Sequence, residues 1–424
     1  MHGQTPTTQH QKPGAPRPGL PLVIYVLALG TFLMLTTEFV VAGILPEIAA
    51  DVQVSVAQAG LLITVFAIGM VAAPAMAMLT LRMPRKLTLI LALVVFAAGH
   101  VMVALGSSFE LLLVARFVTA LATGAFWSVA AVVATHAAGA SMAARGMGLI
   151  NAGGMLATVI GVPLGALAGQ TIGWRGTFWA LAVLSIAVII PIARKVPREA
   201  GHPGGGSLRS EFAALGNIRL WLVLTACATT SGGVLAAYTY ISPLLTEQAA
   251  LPATLVPLVL IGFGTGSFVG NLLGGRFGDS HPHLATILAP AGSTVILFLI
   301  CIVTGQPVLT AVLLLLLGLF GLGANPVLMS FAVRFAGRAP TLGSSLSVSS
   351  FNAGTAIGSW VAGLTLASPA GVTGPAMVGT AVVALTLIPV TLLAKAVKND
   401  GGPRRPQAPA PSPEPSSNAS ALAP

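Results

Sequence analysis

Two ionisable residues stand where ionisable residues rarely do. Glu38 lies inside the apolar run 22–45, and Arg116 lies inside the apolar run 110–135. Glu38 is the only acidic residue deep in such a run, and Arg116 is the only basic one at comparable depth. A charge at the centre of a membrane helix costs roughly 2.5–3.5 kcal/mol or more, which makes such a residue a functional candidate by default. Two readings apply. One is a structural ion pair in which two buried charges cancel. The other is a proton switch: burial opposes ionisation of a carboxyl and a nearby guanidinium favours it, so a small movement or an arriving substrate loads or releases a proton. Inward passage of one elementary charge down ~100 mV supplies about 2.3 kcal/mol, enough to help drive a neutral compound uphill in the other direction.

Further polar and aromatic residues can be placed by helical face. Trp127 follows Arg116 by about three turns and shares a side with Ala120 and Thr123. Tyr238 lies on the face of Cys227, Ser231 and Val234. Aromatic rings with a few polar groups suffice to line a pocket for an amphipathic compound. Tyr238 can equally be an interfacial anchor near a helix end. Glu38, Thr123, Trp127, Asn151, Tyr238 and Asn352 form the candidate substrate-binding set. His100, inside the third apolar run, reads as a packing histidine, and His136, His281 and His283, at helix ends, carry no metal-ligand spacing.

The elements that must position these residues follow from composition. Of 424 residues, 55% are hydrophobic and 7% charged, and the mean hydropathy is +0.92. Soluble domains carry about 25% charged residues, so most of this exterior must face lipid. About 20 apolar residues in a helix cross a ~30 Å hydrocarbon core. Runs of that length recur at 22–45, 59–80, 87–105, 110–135, 147–169, 176–193, 219–240, 254–275, 283–304, 308–332, 342–368 and 374–394. They lack the alternation of barrel strands and read as helices. The fold class expected is an all-α integral membrane protein of twelve transmembrane helices in two pseudo-symmetric six-helix bundles.

Basic residues set the orientation. With the N-terminus in the cytoplasm, 18 of the 20 Lys and Arg fall in inside segments; Arg175 lies outside and Arg116 within the fourth helix. Such asymmetry places both termini inside. The first helix then runs outward and the fourth inward, and at 1.5 Å per residue Glu38 and Arg116 both lie ~10 Å below the outer boundary. They share a depth. The net charge of +10 is spread over short connections rather than gathered on one segment, which argues against nucleic acid.

The chain divides into an N-terminal tail 1–21, a bundle 22–193, a linker 194–218, a bundle 219–394 and a tail 395–424. The linker is basic and then Gly-rich, as flexible linkers are. The Pro-, Ala- and Ser-rich final tail is expected to be disordered, and the N-terminal stretch lacks the layout of a cleavable signal peptide. A faint repeat links the halves: Asn151-Ala152-Gly153 and Asn352-Ala353-Gly354 are offset by 352 − 151 = 201. Small residues recur every four positions in the fifth helix (Gly153, Ala157, Gly161, Gly165, Gly169), the eighth (Gly262, Gly266, Gly270, Gly274) and the eleventh (Gly354, Gly358, Ala362). These stripes permit close packing, and the expectation is that they also form sliding seams between the halves. Neither a phosphate-binding GK[ST] nor HExxH nor G-x-S-x-G opens an enzyme site. No cofactor or metal is expected.

At these residues the chain resembles the major facilitator superfamily, and within it the twelve-helix drug:proton antiporters, over about residues 22–394. The stretch from Arg116 to Gly124 resembles the fourth-helix motif whose arginine is tied to proton coupling. The stretch Gly153 to Gly169, with Gly161, Pro163 and Gly165, resembles the fifth-helix motif associated with efflux, and Gly173-Trp174-Arg175 resembles the start of the sixth helix in this branch. The loop with Arg82, Arg85 and Lys86 keeps the basic residues of the family's conformational motif, but Leu81 stands where Asp is usual and Pro84 where Gly is usual. Arg276 and Asp279 match the equivalent loop of the second half better. The opening from Thr37-Glu38 to Ala49 is similar to the branch of chloramphenicol, sugar and nucleoside exporters, and the Leu-Arg-x-Pro-Arg-Lys loop points to its chloramphenicol-resistance side. The resemblance implies a proton-coupled exporter of a small amphipathic antibiotic, chloramphenicol foremost, in the bacterial inner membrane, and the repeated halves supply a complete pathway within one chain, so a functional monomer is expected. An exporter of sugars or nucleosides and a non-transporting membrane sensor are the alternatives.

Overall fold

The computed structural model describes residues 20–80, 83–139, 142–196, 215–303, 305–337 and 339–400. The tails 1–19 and 401–424, most of the expected linker and Arg82 lie outside the described residues. Among the described residues every regular element is a helix. Ten helices are long and apolar enough to span a membrane: Leu22–Gly43, Arg85–Leu105, Phe109–Ala138, Arg145–Ile172, Trp174–Lys195, Ile218–Thr239, Ala253–Ser280, Pro282–Ile302, Pro307–Phe335 and Gly371–Ala396. Two of the expected twelve differ, each for a visible reason.

The second, over residues 56–80, runs in three pieces, Val56–Ala59, Leu61–Val71 and Ala73–Thr80. Pro74 has no N–H to offer the carbonyl of Met70 and its ring crowds that carbonyl, so the helix breaks just before it. The eleventh, Pro340–Leu366, is one helix of 27 residues but carries a polar face. Ser347, Asn352, Thr355 and Ser359 are buried and bond mostly to carbonyls within the helix. Facing protein instead of lipid, that side needs no apolar surface.

Both halves are built alike. The fifth helix seats Gly153 on the carbonyl of Ala28 in the first, and the eleventh seats Gly354 on the carbonyl of Ala228 in the seventh. A Cβ at either glycine would collide with that carbonyl. The offsets, 354 − 153 = 201 and 228 − 28 = 200, extend the Asn-Ala-Gly repeat into matched packing.

These contacts correct the expectation of sliding seams. The fifth-helix stripe meets the first helix through Thr36, Val40 and Ile44, and the eighth-helix stripe meets the tenth through Leu315, Leu319 and Gly323. The eleventh-helix stripe meets the seventh. All three stripes therefore close helices within a half rather than forming the seam between the halves. The halves meet elsewhere: the second helix touches the eleventh, and the fifth touches the eighth.

The apolar core shows how the halves are joined. At the end where the first helix finishes, a single buried cluster spans both, with Ile44, Leu45, Ala115 and Phe178 from one and Tyr240, Leu244, Val256 and Ala362 from the other. Toward the opposite end, where the first helix begins, the two large clusters are separate. One holds Ile24, Leu27, Ala134 and Val188, and the other holds Leu220, Cys227, Phe331 and Val390. The halves are fused at the distal end and have separate cores at the terminal end. Outward-facing Leu79, Val183, Leu258, Phe298, Ile357 and Leu385 are exposed, the surface that lipid covers.

Candidate functional site

The fourth helix delivers Arg116 to the interior of the first half, where it is 1% exposed. Its guanidinium has five N–H donors and no acceptor. Nη1 donates to the carbonyl oxygen and to the hydroxyl of Thr37, both at 3.0 Å, and Nε donates to the Leu62 carbonyl at 3.3 Å. The Phe66 ring lies against it, 4.2 Å from guanidinium carbon to ring centroid. Nη2 is buried without a hydrogen-bond partner. Backbone carbonyls of the first and second helices thus hold a cation in place, and among the described residues no carboxylate pairs with it.

His100 completes this arrangement. Its Nδ1 is 2.6 Å from the Phe96 carbonyl and its Nε2 is 2.7 Å from the Thr37 hydroxyl. A carbonyl only accepts, so Nδ1 carries the hydrogen, and in the neutral ring Nε2 accepts from Thr37. The Thr37 hydroxyl then donates to His100 and accepts from Arg116, with every direction consistent. His100 packs between Phe96 and Phe178, so the expected packing histidine is also a hydrogen-bonding one.

Glu38 follows Thr37 and is half-buried. It lines a narrow cavity between the halves, about 10 Å³ in this conformation and so room for roughly one water, together with Phe39, Phe66, Tyr238, Thr239 and Thr355. Glu38 and Arg116 feel each other's charge, yet they form no direct ion pair; among the described residues the pair within 4 Å is Arg175 with Asp51, at 2.7 Å. The structural-pair reading is therefore corrected: Arg116 grips the peptide before Glu38 and leaves the carboxyl to the cavity. Tyr238, 4% exposed, meets Phe39 edge-on at 5.9 Å and Phe263 at 4.4 Å. It is a wall between the halves, not an interfacial anchor.

With this geometry in view, residues 27–339 match the model of the Major Facilitator Superfamily. The chain belongs to that superfamily. It is 35% identical over 375 residues to the chloramphenicol resistance protein of Streptomyces lividans, covering 87% of this chain and 95% of that protein. It is 31% identical over 379 residues to the inner membrane transport protein YdhP of Escherichia coli K12, covering 88% and 96%. The fold is similar to that of the nucleoside transporter NupG, with TM-score 0.73 and 13% identity over 88% of this chain and 98% of that one. It is also similar to a bacterial homolog of the lysosomal transporter Spinster, with TM-score 0.69 and 18% identity over 89% and 96%. The chain is a multi-pass membrane transporter of the major facilitator fold.

The other expected site residues of this superfamily member are dispersed. Thr123 is fully buried, donating to the Thr119 carbonyl and facing the Met34 sulfur, so it packs within the first half rather than lining the cavity. Trp127 is half-buried and lies over Gly154. Asn151 is exposed, and Asn352 is buried with its amide on the Val348 carbonyl. Arg85 and Lys86 open the third helix, and Arg276 and Asp279 are exposed near the end of the eighth.

In the fifth helix the efflux-type stretch contains a π-turn over Ala157–Gly161, in which the Val162 N–H reaches Ala157. Pro163 then supplies no N–H, which leaves the Thr158 carbonyl without a helical donor. Gly264 of the eighth helix approaches that carbonyl so closely that a Cβ would collide with it. This junction between halves was missed by the glycine stripes, since Gly264 is off-register. The structure adds Thr37, Phe66, His100 and Thr355 to the site. Only His100 had a sequence signal, a polar ring in an apolar run.

Proposed function

We propose that this transporter exports small amphipathic antibiotics, chloramphenicol foremost, in exchange for protons across the bacterial inner membrane. The observation that carries the reading is Glu38: a carboxyl open to a cavity between the halves, beside Tyr238 and one peptide from a buried guanidinium. A carboxyl held between an apolar surround and a cation changes protonation when either neighbour moves. Alternating closure of the two ends would move both. The 35% identity to a chloramphenicol resistance protein supports the substrate, and the charge bias of the connections supports cytoplasmic termini. In that orientation the distal fusion of the halves corresponds to closure toward the outside. One chain contains the whole cavity, so a monomer suffices.

The test is drug susceptibility of a pump-deficient bacterium, joined to chloramphenicol uptake into everted vesicles with and without a protonophore. Resistance and protonophore-sensitive uptake are expected, both lost in Glu38→Gln. Export of sugars or nucleosides without drug resistance would replace this reading. Unchanged drug uptake in Glu38→Gln would remove the proton role.

A further inference from the structure

The cavity wall holds one carboxyl, Glu38, and no basic side chain. A cation nevertheless lies just behind it. The Phe66 ring that lines the cavity is the same ring that covers the Arg116 guanidinium at 4.2 Å. Phe66 is itself fully buried, clamped by Met70 and Ala120. Nη2 of the same guanidinium has no hydrogen-bond partner although the residue is 1% exposed. An unfilled charged donor attracts a carboxylate strongly once the two can touch. The Phe66 ring is the group that both lines the cavity and stacks on this guanidinium.

We infer that Phe66 is a specificity-determining residue of the cavity, screening Arg116 so that neutral aromatic compounds bind and matched carboxylates do not. The inference rests on reading the cavity as the substrate site. A carboxylate entering the native cavity meets the Glu38 carboxyl with no cationic side chain among the lining residues to pair with, and like-charge juxtaposition is strongly disfavoured. Without the ring, the same carboxylate reaches the free guanidinium N–H. An amide of identical shape loses a ring contact and gains little.

The experiment uses the purified full-length protein in lipid nanodiscs and two probes of one shape, 4-nitrobenzamide and 4-nitrobenzoate, with binding measured by calorimetry. The wild type is expected to favour the amide by at least about tenfold. In Phe66→Ala the benzoate is expected to gain about tenfold and the amide to weaken. Phe66→Leu, which keeps apolar bulk but loses the flat stack, should narrow the preference by at least about threefold, and it carries the test if the alanine variant does not fold. Equal binding of both probes by the wild type, detectable binding of neither, or an unchanged ratio in the folded variants would each overturn the inference. Because no transport is measured, a protein that shows this ratio but exports no drug would sink the export reading and leave the screen standing.

Discussion

Arg116 and Thr37 are joined twice through one nitrogen: Nη1 lies 3.0 Å from both the carbonyl oxygen and the hydroxyl of Thr37. The next residue is Glu38. Any movement of the first helix past the fourth must therefore break or carry this double contact, and either changes the field at the carboxyl.

Thr37→Val keeps the size of the side chain but removes the hydroxyl that Arg116 and His100 share. Two buried polar groups lose a partner, at about 1–3 kcal/mol for each unsatisfied group. Thermal unfolding in detergent should show a clear loss of stability, and Thr37→Ser should recover most of it.

Arg116→Lys retains the positive charge but cannot present a planar fork to Thr37 and Leu62 together. Proton-driven drug uptake should fall by more than about tenfold, equivalent to at least ~1.4 kcal/mol, while the protein remains folded by size-exclusion chromatography. Full activity in the lysine variant would show that charge alone matters.

At the distal end the hydroxyl of Tyr240 lies 3.3 Å from the Ala57 carbonyl of one half and the Ser359 carbonyl of the other. It sits where Gly60 and Gly363 leave space. Its single proton is shared between two acceptors, so Tyr240→Phe should weaken distal closure by about 0.5–1.5 kcal/mol. Spin labels at Ala50→Cys and Ser368→Cys should report a longer distance population in the variant. An identical distance distribution would show that the phenol does not hold the halves together.

The matched packing of the halves predicts matched sensitivity. Gly153→Val and Gly354→Val should each destabilise the protein severely, since a Cβ meets a backbone carbonyl that cannot yield. Gly148, which has open space at its Cβ position, should accept alanine with stability unchanged or slightly raised. Expression and melting temperature distinguish the two outcomes.

What the sequence disclosed, and what it hid, follows from the kind of interaction. Apolar length is a property of the chain itself, so the all-helical class and the order of most spans were legible, as was the nearness of Glu38 to Arg116. The break before Pro74 was readable in principle from proline chemistry. The partners of Arg116 were not, because Thr37 and Leu62 are engaged largely through backbone carbonyls, which every residue carries. The glycine stripes told which faces were smooth but not which helix each would meet. Phe66 was one apolar residue among many until its ring was seen over the guanidinium.

Exchange of protons against drug at Glu38 can be measured directly. Proteoliposomes containing the full-length protein and an internal pH dye can be challenged with a chloramphenicol gradient and no imposed pH difference. The wild type should move protons opposite to the drug, and Glu38→Gln should move none while still equilibrating the drug across the membrane. Drug-linked proton movement of undiminished size in Glu38→Gln would contradict it.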